Sequence, residues 1–198
     1  MNLPEHRVEP LGDRGLLIRF DAEPSSELTG LLTGTAKAAV RLDGVLDACP
    51  GLTTVLVETA AGRRAEVEPA VAALMAEVEP VEGSLHEIET IYDGEDLDWV
   101  CGHLGIDAGA LIAKHSGPVY DVRLLGSPGF VYLSDVPPEI AVPRLDDPRK
   151  AVPAGSVGIG GTQTGIYARP RPGGWRIIAS VVDLPQVIPG DRVRFVPR

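Results

Sequence analysis

The sequence predicts two units in tandem, an α+β unit over residues 1–82 and a mainly-β unit over residues 86–198. Three observations carry this. Strand-length apolar runs alternate with amphipathic helical stretches over the first 80 residues or so. The aperiodic stretch Pro80-Val81-Glu82-Gly83-Ser84 then reads as a linker. Beyond it the chain becomes a series of short strand candidates punctuated by glycine and proline, the pattern of a β-barrel or sandwich.

In the first unit, Leu16 to Phe20 is a strand-like apolar run. Ser25 or Ser26 can cap a following helix by accepting an orphan backbone N–H, and Leu28, Leu31, Leu32, Ala36, Ala39 and Val40 fall on one helical face. Strands are expected at Val45 to Cys49 and Thr53 to Val57, parted by the turn signal Pro50-Gly51. A second helix is expected over Glu66 to Glu79, with Val67, Val71, Leu74, Met75 and Val78 inward. Read as a repeated αββ-type order, this is a ferredoxin-like arrangement.

In the second unit, His86 to Tyr92 alternates as a strand does, and short helices are expected around Glu95 to Leu104 and Ala108 to His115. Strand candidates follow at 119–125, 130–133, 156–160, 165–168, 175–182 and 192–196.

Composition narrows the partners. Among 198 residues, 44% are hydrophobic and 23% charged, as in ordinary globular proteins. A net charge of -10 argues against nucleic acid and against anionic membrane surfaces, both of which require a concentrated basic face. Cys49 and Cys101 fit no zinc or redox spacing, and His6, His86, His103 and His115 show no metalloprotease spacing, so no metal site is expected. The start MNLPEHRVEPLGDRG has no basic-then-apolar leader, and no apolar run approaches membrane-spanning length. A cytoplasmic location is the expectation.

The densest feature is VPAGSVGIGGTQTGIYARPRPGGW, Val152 to Trp175, in which seven of 24 residues are glycine and none is cysteine, histidine, aspartate or glutamate. It fails the dinucleotide fingerprint, because the third glycine position holds Gln163. It also fails the phosphate-loop pattern, because Ile166 follows Gly165, and Ser156 lacks the first glycine of a nucleophile elbow, whose place Ala154 takes. Two readings stay open. The glycines can bring backbone close to a small polar ligand, with Gln163 and Thr164 as donors and acceptors and Tyr167 and Trp175 as walls. Alternatively they are the corners of a small barrel. His115 ends a predicted helix, where a charged imidazole would complement the dipole or have no duty at all. Arg144 and Arg149 either clamp an anion or pair with Asp146 and Asp147. The acidic run Asp93, Glu95, Asp96 and Asp98 is explained by a helix start.

Six stretches in order carry a resemblance: YDGEDL (Tyr92 to Leu97), KHS (Lys114 to Ser116), SPGFVYL (Ser127 to Leu133), PRLDDPRKAVPAGSVGIGGTQTGIY (Pro143 to Tyr167), PGGW (Pro172 to Trp175) and PGDRVRF (Pro189 to Phe195). Together they resemble the family of the 5-oxoprolinase B subunit, also called allophanate hydrolase subunit 1. That family is related to a sporulation-kinase inhibitor and to subdomains C and D of the urea carboxylase carboxyltransferase domain. In the first half the resemblance rests mainly on GLTTVLVE (Gly51 to Glu58). It departs at Gly126-Ser127-Pro128, at Ala168 and at Ile178-Ala179-Ser180.

The resemblance implies a ferredoxin-like N-terminal domain and a cyclophilin-like barrel. It also implies a homologous-looking second subunit (of the 5-oxoprolinase C-subunit or allophanate hydrolase subunit 2 type), with a third beside it. The implied activity is that of a non-autonomous subunit of an ATP-dependent amide or lactam hydrolase, converting 5-oxoproline, ATP and water to glutamate, ADP and phosphate. ATP would be held by the complex. On this reading His115, Arg144 and Arg149 are catalytic, while Gln163, Thr164, Tyr167, Phe130 and Trp175 bind substrate in a cleft shared with the partner. The alternatives are a regulator that inhibits a histidine kinase, or the carboxyltransferase part of a urea carboxylase or allophanate system with a separate biotin carrier. The same fold serves all three.

Overall fold

A computed structural model describes residues 3–126 and 129–198. Met1, Asn2 and the Ser127-Pro128 pair that opens SPGFVYL lie outside the described residues. The chain divides into two units, Met1–Gly83 and Ser84–Arg198.

The first unit begins with a hairpin of β1 (His6–Leu11) and β2 (Gly15–Phe20). It continues through α1 (Ser26–Ala39), β3 (Val45–Pro50), β4 (Thr54–Thr59) and α2 (Arg64–Leu74). The four strands form an antiparallel sheet in the order β1-β2-β4-β3. β1 carries Pro10, which the periodicity reading passed over, and it occupies the sheet edge, where a missing N–H breaks no ladder bond. The edge beside β2 is therefore held by β1 and not by a strand following α2. Leu16, Ile18 and Phe20 of β2 and Val55 and Val57 of β4 are buried with Leu28, Leu31, Leu32, Ala36 and Ala39 of α1 and Val67 and Val71 of α2.

Ser25 caps α1, its Oγ accepting the Leu28 N–H at 3.1 Å. Val40 departs from the expected stripe. It sits just past the helix end and is exposed. α2 stops at Leu74, short of the predicted Glu79. Its exit tightens through bonds from Ala76 to Ala73 and Glu77 to Leu74, and Pro80 disfavours helix at Glu79. The chain then runs against α1, with the Val81 N–H on the Gly30 carbonyl at 3.0 Å. A Cβ on Gly30 would meet the Val81 carbonyl at 2.9 Å, and one on Gly34 would clash with that of Glu79. Two helix-weakening glycines are thus explained by close approach of backbone.

The second unit is a closed seven-stranded barrel. Its strands are β5 (Leu85–Ile91), β6 (Tyr120–Gly126), β7 (Phe130–Asp135), β9 (Ser156–Gly160), β10 (Gln163–Tyr167), β12 (Arg176–Val181) and β13 (Arg192–Pro197). Two short strands missed in the sequence, β8 (Arg149–Val152) and β11 (Arg171–Gly173), pair with each other outside the barrel. The barrel closes because β13 pairs in parallel with β5 and antiparallel with β6. Its core holds Val122, Leu133, Val157, Ile159, Ile166 and Phe195. α3 (Leu97–Leu104) packs on β12, and α4 (Ala108–Ser116) packs on β13. Asp107 caps α4 through a 2.7 Å bond from the Ala110 N–H.

Candidate functional site

In β9 and β10 the pleat sorts the glycine-rich segment into two faces. Val157, Ile159 and Ile166 join the barrel core, while Gly158, Gly160 and Gly165 fall on the opposite face. Aromatic rings lie on Gly160 and Gly165. A Cβ on Gly160 would come within 2.6 Å of the Trp175 ring, and one on Gly165 within 2.6 Å of the Phe130 ring. One on Gly173 would collide with the Tyr167 hydroxyl. The two open readings of the glycines therefore converge. Gly160, Gly165 and Gly173 are flat seats for rings, and the rings build a wall.

That wall is a small separate cluster of Phe130, Val152, Tyr167, Trp175 and Ile177, with Tyr132 packed against it. Phe130 meets Tyr167 edge-on at 4.7 Å and Trp175 at 4.8 Å. The rings, with Arg144, Pro148, Arg171 and the backbone of 172–174, line a pocket of about 180 Å³. The Arg144 guanidinium stands 5.2 Å from the Trp175 ring centre, and that of Arg171 stands 5.8 Å from Phe130. Neither arginine has an acidic partner within 4 Å among the described residues. Nη1 of Arg171 is sealed from solvent and has no hydrogen-bond partner among them. Burial raises the Tyr167 pKa above the ordinary phenol value, so its hydroxyl stays a donor at neutral pH. The pocket is thus an electropositive, aromatic-walled recess in an acidic chain.

His115 and Thr164 are elsewhere, fully buried in the unit's core. The Thr164 hydroxyl donates to the Gly158 carbonyl at 3.1 Å, so at 2.9 Å it accepts from His115 Nε2–H. His115 Nδ1 then accepts from the Tyr92 hydroxyl at 2.8 Å. The ring also stacks on Phe195 at 4.7 Å. Burial lowers the His115 pKa to about 3. The imidazole is neutral, so the expected charge at the helix end is absent. Burial also raises the pKa of Tyr92 and of Tyr120, which keeps both protonated.

Arg149 is fully engaged. It grips the Asp96 carboxylate with Nη2 at 2.8 and 2.9 Å, pairs with Glu95 at 2.7 Å and donates to the Trp175 carbonyl at 3.2 Å. The expected pairing with Asp146 and Asp147 gives way to this one because Asp96 is a buried carboxylate in need of donors. It also accepts the Ile177 N–H at 2.6 Å. Asp96 is therefore an anchor of the loop before α3 rather than a side-chain cap of the helix. Gln163, half-buried at the start of β10, is not among the residues lining the pocket.

The structure thus gathers Arg144, Phe130, Tyr167 and Trp175 into one pocket. It sets His115 and Thr164 in the interior, and Arg149 in a buried ion pair behind Trp175. Sequence reading missed Tyr132 and Arg171, and took Asp96 only as a carboxylate favoured at a helix start. The signal for Arg171 was Pro170-Arg171-Pro172, since proline on both sides favours an extended backbone beside the ring-bearing strands.

Among the described residues no cluster of histidine, cysteine, aspartate and glutamate is placed to hold a metal, and no helix is long and apolar enough to cross a membrane. Cys49 and Cys101 are free thiols.

Comparison with known proteins matches residues 6–184 to the family described as carboxyltransferase domain, subdomain C and D. The chain is 36% identical to the 5-oxoprolinase B subunit of Escherichia coli O157:H7, over 82% of its own length and 83% of that protein. It is 31% identical to the 5-oxoprolinase B subunit of Bacillus subtilis, over 96% of its own length and 92% of that one. Among solved structures, TTHA0988 superposes with a TM-score of 0.82 at 35% identity, covering 93% of this chain. This chain spans only 40% of that one. The urea carboxylase of Kluyveromyces lactis shares the fold, with a TM-score of 0.74 at 17% identity over 100% of this chain and 22% of that one.

Proposed function

The chain belongs to the carboxyltransferase-domain family of subdomains C and D, and from that membership we propose that it is one subunit of an ATP-dependent amide or lactam hydrolase. The preferred reaction is that of a 5-oxoprolinase: 5-oxoproline, ATP and water give glutamate, ADP and phosphate. The observation that carries the reading is the 36% identity to a 5-oxoprolinase B subunit across 82% of the chain. In the same reading the first unit is a ferredoxin-like variant, the second a cyclophilin-like barrel, and the complex is cytoplasmic.

Opening an unstrained lactam in water needs activation of a poor electrophile. Transfer of a phosphoryl group from ATP to the amide oxygen supplies it; water then adds to the ring carbon, the C–N bond breaks to leave an acyl phosphate, and a second water releases phosphate and the free carboxylate. The aromatic-walled pocket does not fit a nucleotide. The pocket of about 180 Å³ is smaller than the roughly 300–1,000 Å³ of pockets for drug-sized ligands, and the glycine segment seats rings. We therefore assign ATP to the rest of the complex and substrate positioning to this chain. The rings exclude water from one side, the Tyr167 hydroxyl donates a hydrogen bond, and the pocket's open side is where a second subunit, and a third with it, would complete the site.

The test is reconstitution. The chain is co-expressed with a second subunit of the 5-oxoprolinase C-subunit type and with the third component, and phosphate release is followed with and without 5-oxoproline. Activity dependent on 5-oxoproline and on every component supports the reading. A stable, inactive assembly, or recovery of a histidine kinase as the stoichiometric partner, refutes it.

A further inference from the structure

The buried, unpartnered Nη1 of Arg171 is the observation with the most unspent chemistry in the molecule. The Arg171 guanidinium stands 5.8 Å from the Phe130 ring centre, lines the aromatic pocket and has no acidic partner within 4 Å among the described residues, so its charge is uncompensated there. Arg144, which also has no acidic partner among the described residues, lines the same pocket. Two guanidinium groups on one small recess make a site for a negative charge, in a chain whose net charge is -10.

The walls decide which anion. Phe130, Tyr132, Tyr167 and Trp175 offer ring faces and edges, which favour a flat, partly apolar body over a compact, strongly hydrated one. The volume of about 180 Å³ admits a single small ring and no nucleotide. We infer that Arg171 and Arg144 are the carboxylate-recognising pair of this pocket, and that its ligand is a small ring bearing one carboxylate, held flat against the aromatic wall. The inference rests on the hydrolase reading only for which ring acid is chosen as probe. Arg171 determines specificity: it selects the charged ring over an uncharged amide of the same shape.

The experiment titrates the full chain by calorimetry with three probes: 5-oxoproline, the uncharged lactam 2-pyrrolidinone, and inorganic phosphate. Saturable binding is expected for 5-oxoproline alone. Arg171→Gln weakens it roughly tenfold or more, the loss expected when a charge-assisted bond goes. Arg144→Gln, at an exposed position that does not endanger folding, weakens it in the same direction. Arg171→Lys keeps the charge but not the planar fork and falls between. Circular dichroism confirms that each variant is folded.

Absence of saturable 5-oxoproline binding overturns the inference, as does equal binding of 2-pyrrolidinone. Equal binding of phosphate overturns the assignment to a planar carboxylate. The two ideas fail separately. If the reconstituted complex hydrolyses 5-oxoproline while both glutamine variants leave KM unchanged, the inference falls and the hydrolase reading stands. If the chain binds the acid through Arg171 but no complex hydrolyses it, the hydrolase reading falls and the site stands.

Discussion

Replacing His115 with glutamine removes the only titrating group of the interior network that changes charge between neutral and acidic pH. In the folded chain burial holds the imidazole pKa at about 3, against an ordinary 6.5. Above pH 6.5 neither folded nor unfolded chain carries this proton, so the contribution at neutral pH is nil. As pH falls below 6.5 the unfolded chain binds a proton that the folded chain refuses, and stability declines by about 1.4 kcal/mol per pH unit. The loss reaches about 2 kcal/mol at pH 5 and about 4 kcal/mol at pH 3, and levels off below that. Tyr92 and Tyr120 pack on the ring and remain neutral throughout this window.

The assay is urea unfolding followed by tryptophan fluorescence. Both tryptophans, Trp99 and Trp175, lie in the second unit, so the signal reports that unit. His115→Gln lowers stability at pH 7 by roughly 1–3 kcal/mol, because partners in the network are left imperfectly bonded. Between pH 7 and pH 5, however, the wild type loses about 2 kcal/mol more than the variant does. Carboxylates shared by both proteins cancel in this comparison. Parallel pH profiles for the two would show that the imidazole is hydrated or protonated in the native state, and the tautomer assignment would fall with that result.

Two further outcomes follow from the packing. Gly160→Ala drives a methyl into the Trp175 ring and costs about 1–3 kcal/mol, with a shift in tryptophan emission; an unshifted spectrum and unchanged urea midpoint would mean the ring does not rest on that backbone. Asp96→Asn leaves Arg149 without its bidentate partner and costs about 3–5 kcal/mol, read in the same unfolding assay, and a change below about 1 kcal/mol would demote the pair to a solvated contact.

Most elements were legible because their periodicity was strong. The α1 stripe and its Ser25 cap, the β2 run and the barrel strands each carry a local pattern that tertiary contacts reinforce. What escaped had no such pattern. β1 contains a proline that only an edge position accommodates, and β8 and β11 are too short to alternate. α2 was read too long because nothing in the helical stripe announces that residues 79–81 must lie against Gly30 and Gly34. At the site, residue type pointed to the aromatic wall, since Tyr167 and Trp175 among glycines are conspicuous. Position did not: only the pleat tells Thr164 from its neighbours Gln163 and Gly165. Arg149 and Arg144 look alike in sequence, yet one neutralises a buried carboxylate and the other faces a pocket.

The parallel pairing of β13 with β5 has a bearing on how the protein is made. Residues 192–197 must leave the ribosome before β5, about a hundred residues earlier, finds its neighbour on that side, and β6 waits for the same strand. At roughly 5–20 residues per second, two strand edges stay unpaired for several seconds or more of synthesis. The first unit, whose sheet pairs only nearby segments, is complete well before then. Nascent chains stalled after β7 has emerged and before residues 192–197 follow would thus display a finished sheet followed by an open, association-prone one. Chaperone demand during translation should be concentrated in that interval.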